Sequence, residues 1–130
     1  MQSLLFISRH AADLTELPLE MYRIEQSCRR RNAELGVTGG LACTRRHFAG
    51  ILEGEEPVVG QLMRSIERDK RHESCTVIET RAIPAREFTA WSVCYSGTSL
   101  FVEKLVAPLI AEPAPDGAQK LRHFIRELAT

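Results

Sequence analysis

The chain has 130 residues, of which 44% are hydrophobic and 26% are charged. These values are typical of one globular domain with a buried core and exclude a disordered or fibrous protein. Seventeen basic and seventeen acidic residues cancel, so charge gives no reason to expect a nucleic acid or an anionic membrane as partner. The N-terminus does not read as a signal peptide and no apolar run is long enough for a membrane span, so a cytoplasmic location is expected.

The four cysteines are widely spaced along the chain. No CxxC pair occurs, and no two histidines have metal-ligand spacing. A zinc site or a disulfide framework is therefore disfavoured, and reduced, mostly buried thiols are expected. The cysteines are Cys28, Cys43, Cys75 and Cys94.

The first predicted element is a buried strand, and an amphipathic helix follows it. Ser3–Ser8 (SLLFIS) is a short apolar run typical of an inner strand. Residues 13–18 carry helix-start signals, an Asp or Thr cap and a proline in the first turn, and Gly36 marks the end. The same helical spacing places an amide, Asn32, on the apolar face. The apolar residues of that face are Leu17, Met21, Ile24 and Cys28.

A hairpin and a second helix come next. Val37–Thr44 and Phe48–Glu53 are predicted as two strands joined by a short Arg-Arg-His connection. Gly50 interrupts the second strand with a residue that packs no side chain. The second helix opens at Gly54–Pro57 and ends in the charged run 67–72. Its core residues are Val58 or Val59, Leu62, Met63 and Ile66.

Two further strands complete the predicted sheet. Cys75–Thr80 is rich in residues that favour strands, and Trp91–Tyr95 follows a loop that contains Pro84. The order of elements is therefore βαββαββ. Short strands interleaved with two amphipathic helices predict an α+β fold, a ferredoxin-like sandwich with one mixed sheet and both helices on the same face.

The C-terminal part differs in pattern from the rest. Leu100–Ile110 is apolar with helical spacing, Pro113–Gly117 breaks it, and Gln119–Leu128 is a last amphipathic helix. We expect these two helices to cover the free face of the sheet or the sheet of a partner. The chain is accordingly divided into a domain at 1–97 and a helical extension at 98–130.

Recognisable catalytic motifs are absent from the sequence, since it has no GxSxG, GxxxxGK[ST], GxGxxG or HExxH. We therefore expect no enzyme and keep a small acyl or phosphoryl hydrolase as a remote alternative. The segment Ser8–His10 is interpreted as a solvated loop, with an anion-binding loop as the second interpretation. The run Asp69–His72 is either a solvated helix end or a set of donors for a polar ligand between the helices.

Five segments, taken in their order and spacing, resemble one family. They are ISR after the first strand, RRRNAELGVTGGL at the end of the first helix, LEG after the third strand, RDKRH after the second helix and REFTAW before the last strand. This frame, from about Leu4 to Ser96, resembles the BLUF family of blue-light sensors that use FAD. The resemblance implies the BLUF fold, with the flavin ring between the two helices.

The resemblance also implies which residues hold the flavin. The family asparagine that bonds the polar edge of the ring corresponds to Asn32, and the Arg and His that assist there correspond to Arg71 and His72. The tryptophan near the ring corresponds to Trp91, whereas the usual methionine two residues later is Val93 here. The expected cofactor-binding residues are Asn32, Arg71, His72, Phe6, Gly50, Ile24, Cys28 and Trp91.

The photochemical pair of the family is missing. Its tyrosine in the first strand corresponds to Phe6 and its glutamine in the third strand to Gly50, and strand alternation points both positions at the same pocket. In the family the tyrosine gives an electron and a proton to excited flavin, and the glutamine amide then rearranges its hydrogen bonds. We expect this photocycle to be lost, a void or a water beside Gly50, and an affinity for FAD that is about 5- to 150-fold weaker.

Two main interpretations follow from the resemblance. The first is a degenerate BLUF module that still binds FAD and acts as a redox or constitutive regulator. The second is a flavin-free scaffold that uses the same fold for protein–protein contacts. The expected partners are a second copy of the chain or a regulatory protein, with no nucleic acid and no membrane.

Overall fold

The computed structural model describes residues 1–10 and 17–129. The helix cap predicted within residues 13–16 lies outside the described residues. The elements are β1 (Gln2–His10), α1 (Leu17–Glu34), β2 (Thr38–Cys43), β3 (His47–Gly54), α2 (Glu56–Arg68), β4 (His72–Ala82), β5 (Trp91–Ser96), α3 (Leu100–Ala111) and α4 (Pro115–Ala129).

The described strands form one five-stranded sheet in the order β4-β1-β3-β2-β5. Strand β1 lies between β4 and β3 and is antiparallel to both, and β2 is antiparallel to β3. Strand β5 is parallel to β2, so the sheet is mixed. The predicted α+β fold and the βαββαββ order of its first seven elements are thus confirmed.

The first two helices cover one face of the sheet. Gly36, with φ of +71°, follows the end of α1 and lets the chain turn into β2. The buried side chains of α1 and α2 contact alternate residues of the strands, because successive strand residues point to opposite faces. This core contains Met21, Ile24 and Cys28 of α1, Val59, Leu62 and Met63 of α2, and Leu4, Phe6, Phe48 and Leu52 of the sheet.

The C-terminal helices cover the opposite face of the sheet. Ser99 caps α3 by accepting a hydrogen bond from the backbone N–H of Val102 at 3.5 Å. Helix α4 begins at Pro115, four residues earlier than the sequence predicts, since proline is tolerated in the first turn. The sheet thus has two helices on each face, which makes three layers. The division of the chain into two parts at residue 97 remains a prediction. This second core includes Leu5, Ile7, Ala49 and Ile51 of the sheet, Val106 and Leu109 of α3, and Leu121 and Ile125 of α4.

Strand β1 extends beyond the predicted strand. The interpretation of Ser8–His10 as a loop is wrong, because Arg9 pairs with His47 of β3 and His10 pairs with His72 of β4. The segment is therefore part of the sheet, and the backbone N–H of His10 donates to the Arg46 carbonyl at 3.0 Å. In the described part of the chain, no helix has the length and apolar composition that crossing a membrane requires.

Candidate functional site

A cleft opens between α1, α2 and the sheet face that they cover. All eight residues predicted as cofactor-binding line it: Phe6, Ile24, Cys28, Asn32, Gly50, Arg71, His72 and Trp91. They come from five different segments of the chain. The helical period of α1 places Asn32 in the cleft, and strand alternation places Phe6 and Gly50 there. Arg71, His72 and Trp91 were expected from the resemblance.

Asn32 is the most informative polar residue of the cleft. It sits four residues after Cys28 on the inward face of α1, and only 2% of its surface is exposed. Its side-chain Oδ1 is buried and has no hydrogen-bond partner among the residues that the structure describes. An unpaired buried carbonyl costs about 1–3 kcal/mol, and this atom is available to accept a hydrogen bond from a donor that enters the cleft.

Arg71 is held at the cleft by a carboxylate. Its Nε donates to Asp69 Oδ1 at 3.0 Å and its Nη2 donates to Asp69 Oδ2 at 2.6 Å. The hydrogen bonds from Arg71 lower the pKa of Asp69 to about 2, so this carboxylate is ionised at neutral pH. The paired hydrogen bonds between the Arg71 guanidinium and the Asp69 carboxylate fix the orientation of the guanidinium beside the cleft.

His72 begins β4 and is packed among aromatic rings. Its Nδ1 is hydrogen-bonded to the hydroxyl of Ser8 at 2.6 Å, and the Phe48 ring lies 4.5 Å away between centroids. The Phe6 ring lies 6.2 Å away in an edge-on orientation. Burial lowers the pKa of His72 to about 4, and the imidazole is therefore neutral at pH 7.

Phe6 and Gly50 face each other directly across strands β1 and β3. The Phe6 ring lies over the glycine: a Cβ placed on Gly50 would be 2.7 Å from Phe6 Cζ and 3.3 Å from Phe6 Cδ1. The aromatic ring thus fills the space into which a side chain at position 50 would project, and the predicted void or water is confined to the small cleft of about 30 Å³ that Gly50 also lines. An aromatic side chain packed on a cross-strand glycine restores contact area that the glycine lacks.

Trp91 closes the cleft from strand β5 and is 6% exposed. The loop before it is anchored by Glu53, whose carboxylate is wholly buried and accepts hydrogen bonds from the backbone N–H groups of Glu87 and Phe88 at 2.9 and 3.1 Å. Thr38 donates to the same carboxylate at 2.8 Å. This buried acid was missed by the sequence analysis, although a glutamate inside an apolar strand is a signal of such a role.

Five residues outside the predicted cofactor-binding set also line the cleft. Asp69 and Arg31 add charge, and the other three are apolar and extend the wall of the cleft. Arg31 was missed because it lies beside the apolar stripe of α1 rather than on it, and Asp69 because the charged run 67–72 reads equally well as a solvated helix end. The five are Arg31, Leu41, Leu52, Ile66 and Asp69.

The cleft is narrow in this structure. Its cavity volume is about 30 Å³, which is room for roughly two water molecules. The side chains at its mouth, or the two helices, must therefore separate before a planar ring system enters. The described residues also contain no group of three or more His, Cys, Asp or Glu side chains that could hold a metal ion.

The polar groups of the cleft fit a flavin. The isoalloxazine ring has one polar edge that carries both an N–H donor and carbonyl acceptors, and an apolar edge on the opposite side. The unpaired Oδ1 of Asn32 would take the N–H donor, and the guanidinium of Arg71, which lines the same cleft, has donors that could serve the acceptors. Ile24, Leu52 and Ile66 supply apolar walls.

The comparisons with known proteins concern the family and the fold. A family model described as "Sensors of blue-light using FAD" matches residues 1–94. The solved structure of BlrB, a BLUF protein in its dark state, has 28% identity and a TM-score of 0.73 over 97% of this chain and 95% of that one. BlsA in its photo-activated state has 23% identity and a TM-score of 0.77 over 96% and 94% of the two chains, which shows the same fold.

A longer protein also contains this fold as a part. BlrP1 of Klebsiella pneumoniae matches 99% of this chain with a TM-score of 0.65 at 22% identity, but the match spans 28% of its own length. Among curated proteins no match was found. The family model covers most of the chain, and the fold is the same as that of two BLUF proteins. This chain belongs to the BLUF family, the sensors of blue light that use FAD.

Proposed function

We propose that this BLUF module binds FAD and that a packed Phe6–Gly50 pair takes the place of the light-driven hydrogen-bond switch. The observation that carries the proposal is the buried, unpaired Oδ1 of Asn32. A protein that had lost its ligand altogether would gain stability by losing this amide, because replacing it with an apolar side chain removes an unsatisfied carbonyl.

Each polar residue of the cleft has a distinct role in this proposal. Asn32 accepts the N–H of the polar edge, and Arg71 donates to a carbonyl of that edge while Asp69 keeps its guanidinium oriented. The neutral imidazole of His72 packs edge-on against the Phe6 ring and helps to hold it in place. Bound flavin supplies a group that absorbs blue light and accepts electrons.

The usual switch cannot operate with the side chains present. Phe6 has no hydroxyl proton to give, and Gly50 has no amide to rearrange. The Phe6 ring also occupies the space into which a side chain at position 50 would project. The module is therefore proposed to work as a constitutive or redox-dependent regulator.

Its output is proposed to pass through contacts with a regulatory protein or a second copy of the chain. Leu100 and Phe101 at the start of α3 are 75% and 68% exposed, and neighbouring apolar side chains of that size favour a protein contact. The longer structural relatives include a bacterial light-regulated adenylyl cyclase, of which the match spans 40%. The part of that structure that this chain matches is proposed to be its sensor module.

A flavin-free scaffold is the second candidate, and the narrow cleft favours it. A cavity of about 30 Å³ holds no flavin without rearrangement. The same fold would then act through its surface alone. Titration of the purified protein with FAD separates the two candidates, since the scaffold takes up none.

The experiment that tests the proposal compares two amides of the same helix. Asn32→Ala is expected to weaken FAD binding about 5- to 150-fold, the effect of one lost buried hydrogen bond and its packing. Gln26→Ala, on the exposed side of α1, is the matched control and should leave the affinity unchanged. Equal affinities of Asn32→Ala and the parent protein would show that the site is wrongly assigned.

A further inference from the structure

Cys28 is the one cysteine of the described chain that lines the cleft. It lies one helical turn before Asn32 on the same face of α1, so the two side chains are neighbours along the cleft wall. Its sulfur accepts a hydrogen bond from Arg31 Nη2 at 3.9 Å, which places a guanidinium beside the thiol. The unpaired Asn32 Oδ1 independently indicates that a ligand binds at this wall.

The other cysteines lie in different surroundings. Cys43 and Cys94 do not line the cleft, and burial raises their pKa values to about 12 and about 11, so both stay protonated. Cys75 lies in β4 outside the cleft, and burial raises its pKa as well. Cys28 is therefore distinguished by position, and Cys94 is a suitable comparison thiol.

Among the described residues that line the cleft, Cys28 and Trp91 carry the side chains that are most readily oxidised. Trp91 can give an electron to excited flavin, but its indole has no lone pair free to form a bond to the ring. A thiol carries an electron pair and a proton in one group. With phenylalanine at position 6, Cys28 is the lining residue that combines both.

We propose that Cys28 is the reactive residue of the cleft and that, under blue light, its thiol adds reversibly to the ring of bound flavin. The S–H bond breaks, a bond forms between Sγ and the electrophilic ring carbon, and the proton goes to the adjacent ring nitrogen. The sulfur contributes the electron pair of the new bond, and the flavin ring gains the two electrons. Light supplies the energy, no further reagent is consumed, and the reverse step restores thiol and oxidised flavin.

This inference rests on the proposed FAD binding, and the two fail in different ways. FAD is first added to the purified full chain, and bound FAD is measured after removal of free ligand. If no FAD is bound, both the proposed function and this inference are wrong. With FAD bound, blue light is expected to bleach the visible flavin band without a red shift, and the band should return in the dark.

The thiol itself gives a second readout. The S–H stretching band in infrared difference spectra reports a buried thiol directly: illumination of the FAD-loaded protein should remove one S–H band, and darkness should restore it. Cys28→Ser should abolish both this change and the bleaching per bound FAD, and Cys94→Ser should retain both. Bound FAD that does not bleach, bleaching without loss of an S–H band, or bleaching that survives Cys28→Ser would each overturn the inference. Bleaching that survives Cys28→Ser and disappears in Trp91→Phe would assign the chemistry to the tryptophan.

Discussion

The aromatic ring of Phe6 packs on the backbone of Gly50, its direct partner across strands β1 and β3. The two residues stand where the BLUF resemblance expects a tyrosine and a glutamine. The two residues are sterically coupled, since a Cβ at position 50 would lie 2.7 Å from Phe6 Cζ, and we therefore propose that they differ from the family pair as one linked change. Because Gly50 has no side chain, the Phe6 ring occupies the space that a side chain at position 50 would take.

The linkage predicts that Gly50→Ala destabilises the protein. The added methyl collides with the Phe6 ring, which cannot move freely inside a packed core, and such overpacking costs about 1–3 kcal/mol. Phe6→Leu combined with Gly50→Ala should recover part of that loss, because a smaller side chain relieves the collision and the two effects do not add. Urea unfolding of the single and double variants measures both quantities.

Gly60→Ala is the matched control for this prediction. Gly60 lies within α2, and a Cβ there would have Arg64 Nη1 at 3.6 Å as its nearest contact, an ordinary separation. Alanine in a helix interior is favoured over glycine by about 1 kcal/mol, so this variant should gain stability. Two Gly→Ala changes of opposite sign would support the packing of Phe6 on Gly50, and equal signs would contradict it.

A second prediction concerns the recovery of a light response. Phe6→Tyr together with Gly50→Gln should restore part of the red shift typical of the family, since both positions face the cleft from neighbouring strands. Gly50→Gln alone should fail, because Phe6 has no hydroxyl that could bond to the new amide. In the single and the double variant alike, the aromatic ring at position 6 must shift to admit the glutamine, and such overpacking costs about 1–3 kcal/mol. Phe6→Tyr alone should also do little without the amide. Difference spectra before and after blue light, recorded on FAD-loaded variants, measure the shift, and a full response from either single change would contradict the account.

The burial of His72 predicts a dependence of stability on pH. Its folded pKa of about 4 lies below the ordinary value of 6.5, so the unfolded chain binds the proton more readily. The stability from the neutral imidazole is present above pH 6.5 and is lost as the pH falls toward 4. The free energy of unfolding should be lower by about 1.4 kcal/mol near pH 5.5 than near pH 7.5 through this residue.

His72→Gln isolates this contribution from those of the other histidines. The variant loses the titrating group and should show a smaller fall in stability between the same two pH values, measured by urea unfolding. Its stability at the higher pH should also be lower, because the hydrogen bond with Ser8 and the packing on Phe48 change. An unchanged pH dependence in the variant would show that His72 is not buried in the neutral form.

The three-layer arrangement predicts different effects for two leucines of α4. Leu121 has no exposed surface and lies in the second core, whereas Leu128 is 45% exposed. Leu121→Ala should cost about 2–5 kcal/mol, and Leu128→Ala should change the free energy of unfolding by less than about 0.5 kcal/mol. A small effect of Leu121→Ala would mean that α4 packs elsewhere in solution.

Periodicity explains which features were predictable from the sequence. The helical spacing of Met21, Ile24 and Cys28 predicted the burial of Asn32, because the period of 3.6 is a property of the backbone. Strand alternation predicted in the same way that Phe6 and Gly50 share a face. The identity of the cleft residues followed from the family frame together with these two periods.

Other features depend on partners that are distant in the sequence. The position of the Phe6 ring over Gly50 depends on the side-chain rotamer, which neighbouring elements select. The extension of β1 to His10 depends on pairing with β3 and β4, and Ser8 alone does not indicate it. The anchoring of the Trp91 loop by Glu53 joins positions more than 30 residues apart.

The most direct test of the central claim is the visible spectrum of the FAD-loaded native protein in the dark and after blue light. The claim predicts that the protein retains FAD with a flavin spectrum in the dark and shows no persistent red shift on illumination, because Phe6 and Gly50 remove both members of the switch. A stable and reversible red shift of the native protein would contradict it. So would a protein that stays colourless at every concentration of FAD, since Asn32 would then have no flavin to bind.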